Sequence, residues 1–371
     1  MKKRRGKRML VVTLFILSLY VIFMLIFIPP SSGKIQPFLD EDGEVRAHSI
    51  AEKVFVEINS IEQGMIIKGV NIDKPVLLIV HGGPGLSDYF LSKIYDTGLE
   101  NEFVVCYWEQ RGTGLSFHND MDKKMFNTEQ FIKDTIEVTQ YLRQRFNHDK
   151  IFLLGHSWGT YLGLMATKRE PELYAAYIAM SQIVNQKESE IEAYQYMLDQ
   201  YTIKGNKKMI KRLNEYHIMD DENELLMYRK SALRDQAMHD LGVGTMHDMD
   251  SVIQGLFLPS LRCRDYTIEE RINIWRGKIF SKDTQMLFTI DDFDARIDVA
   301  SLDLPIYFLA GIYDYTTSYT LQKAYYDMID APIKGFYTFH NSAHSPIFEE
   351  PSFALEIFLQ DIRNLTVTLE D

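Results

Sequence analysis

Ser157 sits in the stretch Gly155-His156-Ser157-Trp158-Gly159, behind the apolar run Ile151 to Leu154 and ahead of a helical pattern from Thr160 to Arg169. Strand, G-x-S-x-G and helix in that order read as a nucleophile elbow, a turn so sharp that its middle residue is strained and side chains do not fit two positions to either side. Glycines at 155 and 159 meet that demand. The hydroxyl is then held at a strand's end, beside helix N–H groups that have no intrahelical partner. A serine hydroxyl is a weak nucleophile at neutral pH, so it needs a base, and the base needs an orienting acid.

With the nucleophile on an elbow, the acid and then the histidine follow it along the chain. Of ten histidines, only His340 and His344 lie beyond the last strand-like runs. His340 extends Phe336 to Phe339 and is held by the sheet, whereas His344 lies in the loop Asn341 to Pro346 that opens the next helix. His344 is therefore the candidate base. Asp314 follows the apolar run Ile306 to Ala310, at a strand's carboxyl end, where open α/β sheets build their sites. The rival position, after Tyr174 to Met180, offers Ser181 and Gln182 and no acid. The developing oxyanion needs two donors: the N–H of Trp158, next after the serine, and an N–H from His81-Gly82-Gly83-Pro84-Gly85, most plainly Gly83. The chemistry these residues predict is acyl transfer through Ser157, His344 and Asp314. No H-E-x-x-H occurs, no G-x-x-x-x-G-K-[ST] occurs, and Gly112-Thr113-Gly114 lacks a third glycine, so no metal or cofactor is expected.

The elements that would position these groups are legible as apolar runs. Lys53 to Ile58 and Met65 to Val70 form an opening hairpin around the turn material Asn59 to Gly64. Pro75 to Val80, Phe103 to Trp108, Ile151 to Leu154, Tyr174 to Met180, Pro305 to Ala310 and Gly335 to Phe339 read as further strands. Helical patterns at Thr128 to Phe146, Thr160 to Arg169 and Thr320 to Met328 alternate with them, which predicts a mostly parallel sheet covered on both faces. Over 183–296 the strand signals fade and helices rich in Met, Tyr, Lys and Glu take over, such as Glu188 to Tyr201 and Lys207 to Tyr216. This stretch reads as a helical cap inserted into an α/β body made of 45–182 and 297–371.

At 371 residues and 46% apolar, the chain can bury a large core. Its first eight residues carry six Lys or Arg, and Met9 to Ile28 follow without a charge. A 20-residue apolar helix is about 30 Å long, enough to cross a bilayer, and the basic N-terminal flank predicts that this end stays in the cytoplasm. A cleaved signal peptide would have a shorter apolar region and a small-residue cleavage site, and Pro29-Pro30-Ser31-Ser32-Gly33 offers no such site. The expectation is a retained single-pass anchor at the cell membrane, a linker over 29–44, and an extracytoplasmic catalytic body. Beyond residue 33 the remaining 34 basic residues face 52 acidic ones, which argues against nucleic acid as a partner. Cys106 and Cys263 make no disulfide framework and read as buried thiols.

Taken together, His81 to Gly85, Gln110-Arg111-Gly112-Thr113-Gly114-Leu115-Ser116, Asn127-Thr128, Gly155 to Gly159, Asp314 and His344 closely resemble the prolyl aminopeptidase (proline iminopeptidase) family of α/β-hydrolases. The resemblance implies an α/β-hydrolase core with a helical cap and removal of an N-terminal residue, often proline, from peptides. It implies Ser157 as nucleophile, His344 as base, Asp314 as orienting acid, and Gly83 with Trp158 as the oxyanion hole. It also implies acidic cap residues that bind the substrate amine, for which Glu269 and Glu270 are candidates. Many relatives have Asp where Glu109 stands, Arg where Ile312 stands and Gly where Ala343 stands; none of these departures removes a catalytic group. Relatives are usually soluble, so the anchor is unusual. One triad serves both amides and esters, so a small peptide is the first expected substrate and a carboxylesterase acting on an ester is the alternative.

Overall fold

The computed structural model describes residues 28–370 except Asp220 and Gln285, together with Thr13, Phe15 and Ser18. Eight strands form one sheet: β1 (Ile50–Ile58), β2 (Ile61–Gly69), β3 (Val76–Val80), β4 (Val104–Trp108), β5 (Ile151–His156), β6 (Tyr174–Met180), β7 (Ile306–Gly311) and β8 (Lys334–Phe339). Their spatial order is β1-β2-β4-β3-β5-β6-β7-β8. The β1–β2 and β2–β4 pairs are antiparallel and all others parallel. Every residue of β3, β4, β5 and β7 is buried, as a parallel sheet covered on both faces requires. Successive side chains alternate between two cores: Leu78 and Val80 join Leu153 and Trp158 on one face, while Leu77 and Ile79 join Leu154 and Phe358 on the other. Each fully buried Leu or Ile contributes roughly 1.5–3 kcal/mol, so two such faces anchor the sheet from which the site is built.

Both strands of the hairpin start earlier than expected, β1 at Ile50 instead of Lys53. β2 starts at Ile61, four residues before the predicted Met65, because Asn59 and Ser60 both take positive φ (47° and 65°) and close the turn in two residues. Gln63, which looked like turn material, is buried in the strand: its Oε1 accepts from Trp108 Nε1 at 2.9 Å and its Nε2 donates to Asp134 at 2.9 Å. Asp134 in turn holds Arg111 through two 2.9 Å bonds, so the arginine of the QRGTG stretch is a buried strut. The helix Thr128–Phe146 that carries Asp134 starts on the Asn127 side chain, which accepts from Gln130 N, and ends at Asn147 in the left-handed region. It buries the face containing Phe131, Ile132, Thr135, Val138 and Leu142, as the 3.6-residue period predicts.

Between β6 and β7 the described residues form only helices and turns, with a small core of their own that includes Met197, Tyr201, Leu213, Tyr228 and Met238. The last long helix here, Ile268–Asp283, lies directly on the glycine-rich loops of the sheet. A Cβ on Gly277 would overlap the Gly112 carbonyl oxygen, and a Cβ on Gly85 would come within 2.9 Å of the Gly277 carbonyl. The helix opens with a capping box in which Thr267 and Glu270 satisfy each other's backbone N–H groups.

The apolar span Met9 to Ile28 lies outside the described residues except for Thr13, Phe15, Ser18 and Ile28; among the described residues no helix is long and apolar enough to cross a membrane. The start of the linker is not a loose tether. Arg271, a buried cap residue with no carboxylate partner among the described residues, draws in backbone carbonyls instead and bonds Pro29 O at 2.6 Å and Leu261 O at 3.0 Å. Lys53 adds a 2.9 Å bond to Gly33 O, and Ser31 bonds the Arg264 carbonyl. A buried guanidinium must find acceptors, which explains why a Pro, Ser and Gly stretch is pinned here.

Candidate active site

β5 runs through Gly155 and His156 into Ser157, whose backbone takes φ 54° and ψ −120° before the helix Trp158–Arg169 begins. That conformation costs of order 1–3 kcal/mol for a non-glycine residue and is held by its surroundings. A Cβ at Gly155 would lie 2.6 Å from Gly159 O, and one at Gly159 would overlap the Val80 carbonyl. The elbow therefore seats against the end of β3, with Ser157 N bonded to Met180 O at 3.0 Å.

His344 and Asp314 come together from the loops after β8 and β7. His344 Nδ1 is 2.9 Å from Asp314 Oδ2 and 3.1 Å from Oδ1, and both residues are buried. Asp314 also accepts from Thr316 N, Thr317 N and the Thr317 hydroxyl at 2.9, 3.0 and 2.8 Å. Burial alone would raise its pKa, but the neighbouring His344 and these hydrogen bonds outweigh that and hold it below the ordinary value. The acid stays ionised and fixes which His344 nitrogen carries the proton, leaving Nε2 as the free face of the ring. The loop around His344 is itself clamped: Glu349 accepts from Ala343 N and Ser345 N at 3.0 Å each, and Glu350 accepts from Asn341 N at 3.0 Å and the Ser342 hydroxyl at 2.6 Å. Ala343 is fully buried. Ser157 and His344 line one cavity of about 230 Å³, and among the described residues the Ser157 hydroxyl is not hydrogen-bonded. Such bonds often form only once substrate is bound.

Gly83 has φ 119°, a conformation that L side chains rarely adopt. Among the described residues neither the Gly83 N–H nor the Trp158 N–H donates to the protein, so both are available to an oxyanion. His81 Nδ1 donates to Gly82 O at 2.8 Å and its Nε2 accepts from Gln110 N at 3.1 Å, which makes it a neutral imidazole. Burial, first among several influences, keeps its pKa low, in agreement. Gln110 also donates to His81 O at 2.6 Å and accepts from the Trp158 indole at 3.1 Å, tying HGGPG to the elbow.

Two groups beside the site were not singled out from sequence. His156 Nδ1 faces Asp88 Oδ2 at 2.8 Å, and its Nε2 faces His344 O at 2.9 Å. Both partners accept, so both ring nitrogens must donate and His156 is an imidazolium. Burial opposes that charge, but Asp88 and the His344 carbonyl outweigh it and raise the pKa. The signal was present, a histidine immediately before the serine, but its acidic partner lies 68 residues away. On the cap side, Glu190, Arg234, Asp235 and Lys278 face Ser157. No short motif marks them, since they come from three helices, with Arg234 and Asp235 on one and Glu190 and Lys278 on two others. Glu269 and Glu270, the amine-binding candidates, do not line the cleft: Glu270 caps its own helix and pairs with Lys53 at 2.7 Å.

A mostly parallel sheet with a strained serine at the end of a central strand defines an α/β-hydrolase-fold serine hydrolase. Residues 75–231 match the family model described as alpha/beta hydrolase fold. The probable aminopeptidase YbaC of Bacillus subtilis (strain 168) is 33% identical over 309 residues, covering 82% of this chain and 94% of that protein. A proline iminopeptidase of Heyndrickxia coagulans is 24% identical over 281 residues, 76% of this chain and 88% of that one. Among solved structures, the proline iminopeptidase of Mycobacterium smegmatis superposes with a TM-score of 0.60 at 14% identity, covering 84% of this chain and 98% of that chain, a likeness of fold. The chain belongs to the prolyl aminopeptidase (proline iminopeptidase) family of α/β-hydrolases.

Proposed function

We propose that the protein is an aminopeptidase that releases an N-terminal residue, proline or similar, from short peptides by acyl transfer through Ser157, His344 and Asp314. The observation that carries this reading is that one cleft holds the elbow serine, the imidazole bonded to a buried carboxylate, and a carboxylate on the cap side able to take a substrate ammonium. That carboxylate is Asp235, whose side chain is 64% exposed and which pairs with Arg234 at 3.2 Å; Glu190 is already committed to Arg234 through two bonds of 2.6 and 2.7 Å. His344 Nε2 takes the Ser157 proton as Oγ attacks the scissile carbonyl, and the N–H groups of Gly83 and Trp158 hold the oxyanion. The imidazolium then protonates the leaving amine, and water, deprotonated by the same nitrogen, releases the acyl group. Supporting the choice of a peptide over an ester are the aminopeptidase names of the relatives.

The test compares a free-amine aminoacyl arylamide with its N-acetylated twin. The free amine should be cleaved at least tenfold faster in kcat/KM, and Asp235→Asn should narrow the gap. Equal cleavage, or preference for the acetylated twin, would sink the peptidase reading and favour the esterase.

The same reading takes the basic cluster and the apolar span Met9 to Ile28 as a retained anchor with the catalytic body extracytoplasmic. Externally added protease should degrade the body in intact spheroplasts; a body protected until lysis would reverse the topology.

A further inference from the structure

The cleft has two unlike lobes that meet at Ser157, Gly83, Arg234, Asp235, Lys278 and Thr316. One lobe, of about 230 Å³, is walled by apolar side chains such as Phe90, Leu91, Met238, Leu256 and Trp275. The other, of about 240 Å³, is lined by Arg229, Lys230, Arg234, Lys278 and Lys282. Among the described residues, two carboxylates line it, Glu190 and Asp235. In a chain with a formal charge of −12, five cations against two anions beside the nucleophile is a local reversal of sign. Cavities concentrate such a field because their walls exclude water.

The cations are placed and only partly compensated. Lys278 Nζ donates to Gly83 O at 3.1 Å and Pro84 O at 3.4 Å, which uses two of its three N–H bonds on neutral oxygens. Burial lowers its pKa to about 8, and Lys282 and Arg234 add to the effect against the pull of Asp235. The Arg229 side chain is only 2% exposed; Nη1 bonds both oxygens of Asp291 at 2.8 and 2.9 Å, while Nε and Nη2 have no hydrogen-bond partner among the described residues. Arg229 and Lys230 both lie against the Phe288 ring, at 4.7 and 4.8 Å from its centre, so this wall of the lobe is packed. An anion is what such a lobe lacks.

Resting on the aminopeptidase reading, we propose that the cationic lobe binds a carboxylate on the leaving side of the scissile bond, so that the preferred substrates are dipeptides whose free C-terminal carboxylate reaches Lys278 and Lys282. The substrate's two ends are then read by opposite charges, the ammonium by Asp235 and the carboxylate by the lysines. The apolar lobe takes the side chain of the released residue. A long peptide, whose carboxylate lies far from the serine, loses this contact.

The experiment measures kcat/KM for three peptides with the same favourable N-terminal residue: Xaa-Ala, Xaa-Ala-amide and Xaa-Glu-amide. The wild-type enzyme should prefer Xaa-Ala to its amide by about tenfold, the return for one charge-assisted contact. Xaa-Glu-amide distinguishes a side-chain carboxylate from a terminal one, and should fall near the neutral amide. Lys278→Met should remove most of the preference. Because Lys278 also touches the Gly83 loop, the exposed Lys282→Glu provides a second variant and should reduce the preference without lowering turnover of the amide as much. A parallel pair of esters, 4-acetoxybenzoate and its methyl ester, reads the same lobe if the enzyme cleaves no peptide, so that failure of the aminopeptidase reading is separable. Equal rates within both pairs for the wild type, or a preference that survives both substitutions, would overturn the proposal; faster cleavage of Xaa-Glu-amide than of Xaa-Ala would overturn its assignment to the chain terminus.

Discussion

At the scale of single residues, the site works by setting neighbouring groups in different charge states. His81 and His156 are both buried within the same neighbourhood, yet one is neutral and the other cationic because their hydrogen-bond partners differ. Glu109, next to the QRGTG stretch, shows the same logic for a carboxyl group. Burial pushes its pKa up to about 7, against the pull of hydrogen bonds from Tyr266, Leu115 N and Ser87. The folded protein thus holds this proton more tightly than the unfolded chain, where the ordinary value is 4.5. Its stabilising effect is complete below about pH 4.5 and is lost as pH rises through about 7. Denaturant titrations should show wild-type stability declining by up to about 3 kcal/mol across that window from this group, and Glu109→Gln should flatten that component. An unchanged slope in the variant would show that Glu109 is ionised throughout.

At the scale of elements, the helix Ile268–Asp283 couples cap to core. It brings Lys278 to the Gly83 carbonyl and closes on the QRGTG loop with no side chain at Gly277. Gly277→Ala must push helix and loop apart, at a cost of roughly 1–3 kcal/mol, and should lower kcat/KM more than a cap-surface change such as Ile279→Ala. A fully active and equally stable Gly277→Ala would show that the contact can relax freely. The same scale explains what was readable beforehand. Strands such as β3, β4 and β5 stand out because burial on both faces demands unbroken apolar runs, and the candidates Ser157, Asp314 and His344 are found from where such runs end. The start of β2 was hidden because Gln63 is a buried polar residue whose partners, Trp108 and Asp134, are remote in sequence. Which cap acids, Glu269 and Glu270 or others, face the cleft is not legible in the sequence for a related reason. On cap helices with charges on several faces, the residue pattern does not reveal which face turns towards the nucleophile.

At the scale of the whole molecule, an acidic body encloses a small basic lobe, and the chain leaves that body beside the cap. Pro29 and Gly33 are fastened to Arg271 and Lys53, so a membrane-inserted helix ahead of them would hold the cap at a short, fixed distance from the bilayer.

The central claim is that Ser157 carries the acyl group and that His344, oriented by Asp314, activates it. Incubation with a serine-directed fluorophosphonate, followed by peptide mass spectrometry and timed against turnover, tests it most directly. A single adduct should form on Ser157 as activity is lost; Asp314→Asn should slow both labelling and kcat by about 10³–10⁴ while leaving the fold intact. An adduct on any other residue, or a Ser157→Ala enzyme that still turns over substrate at the wild-type rate, would contradict it.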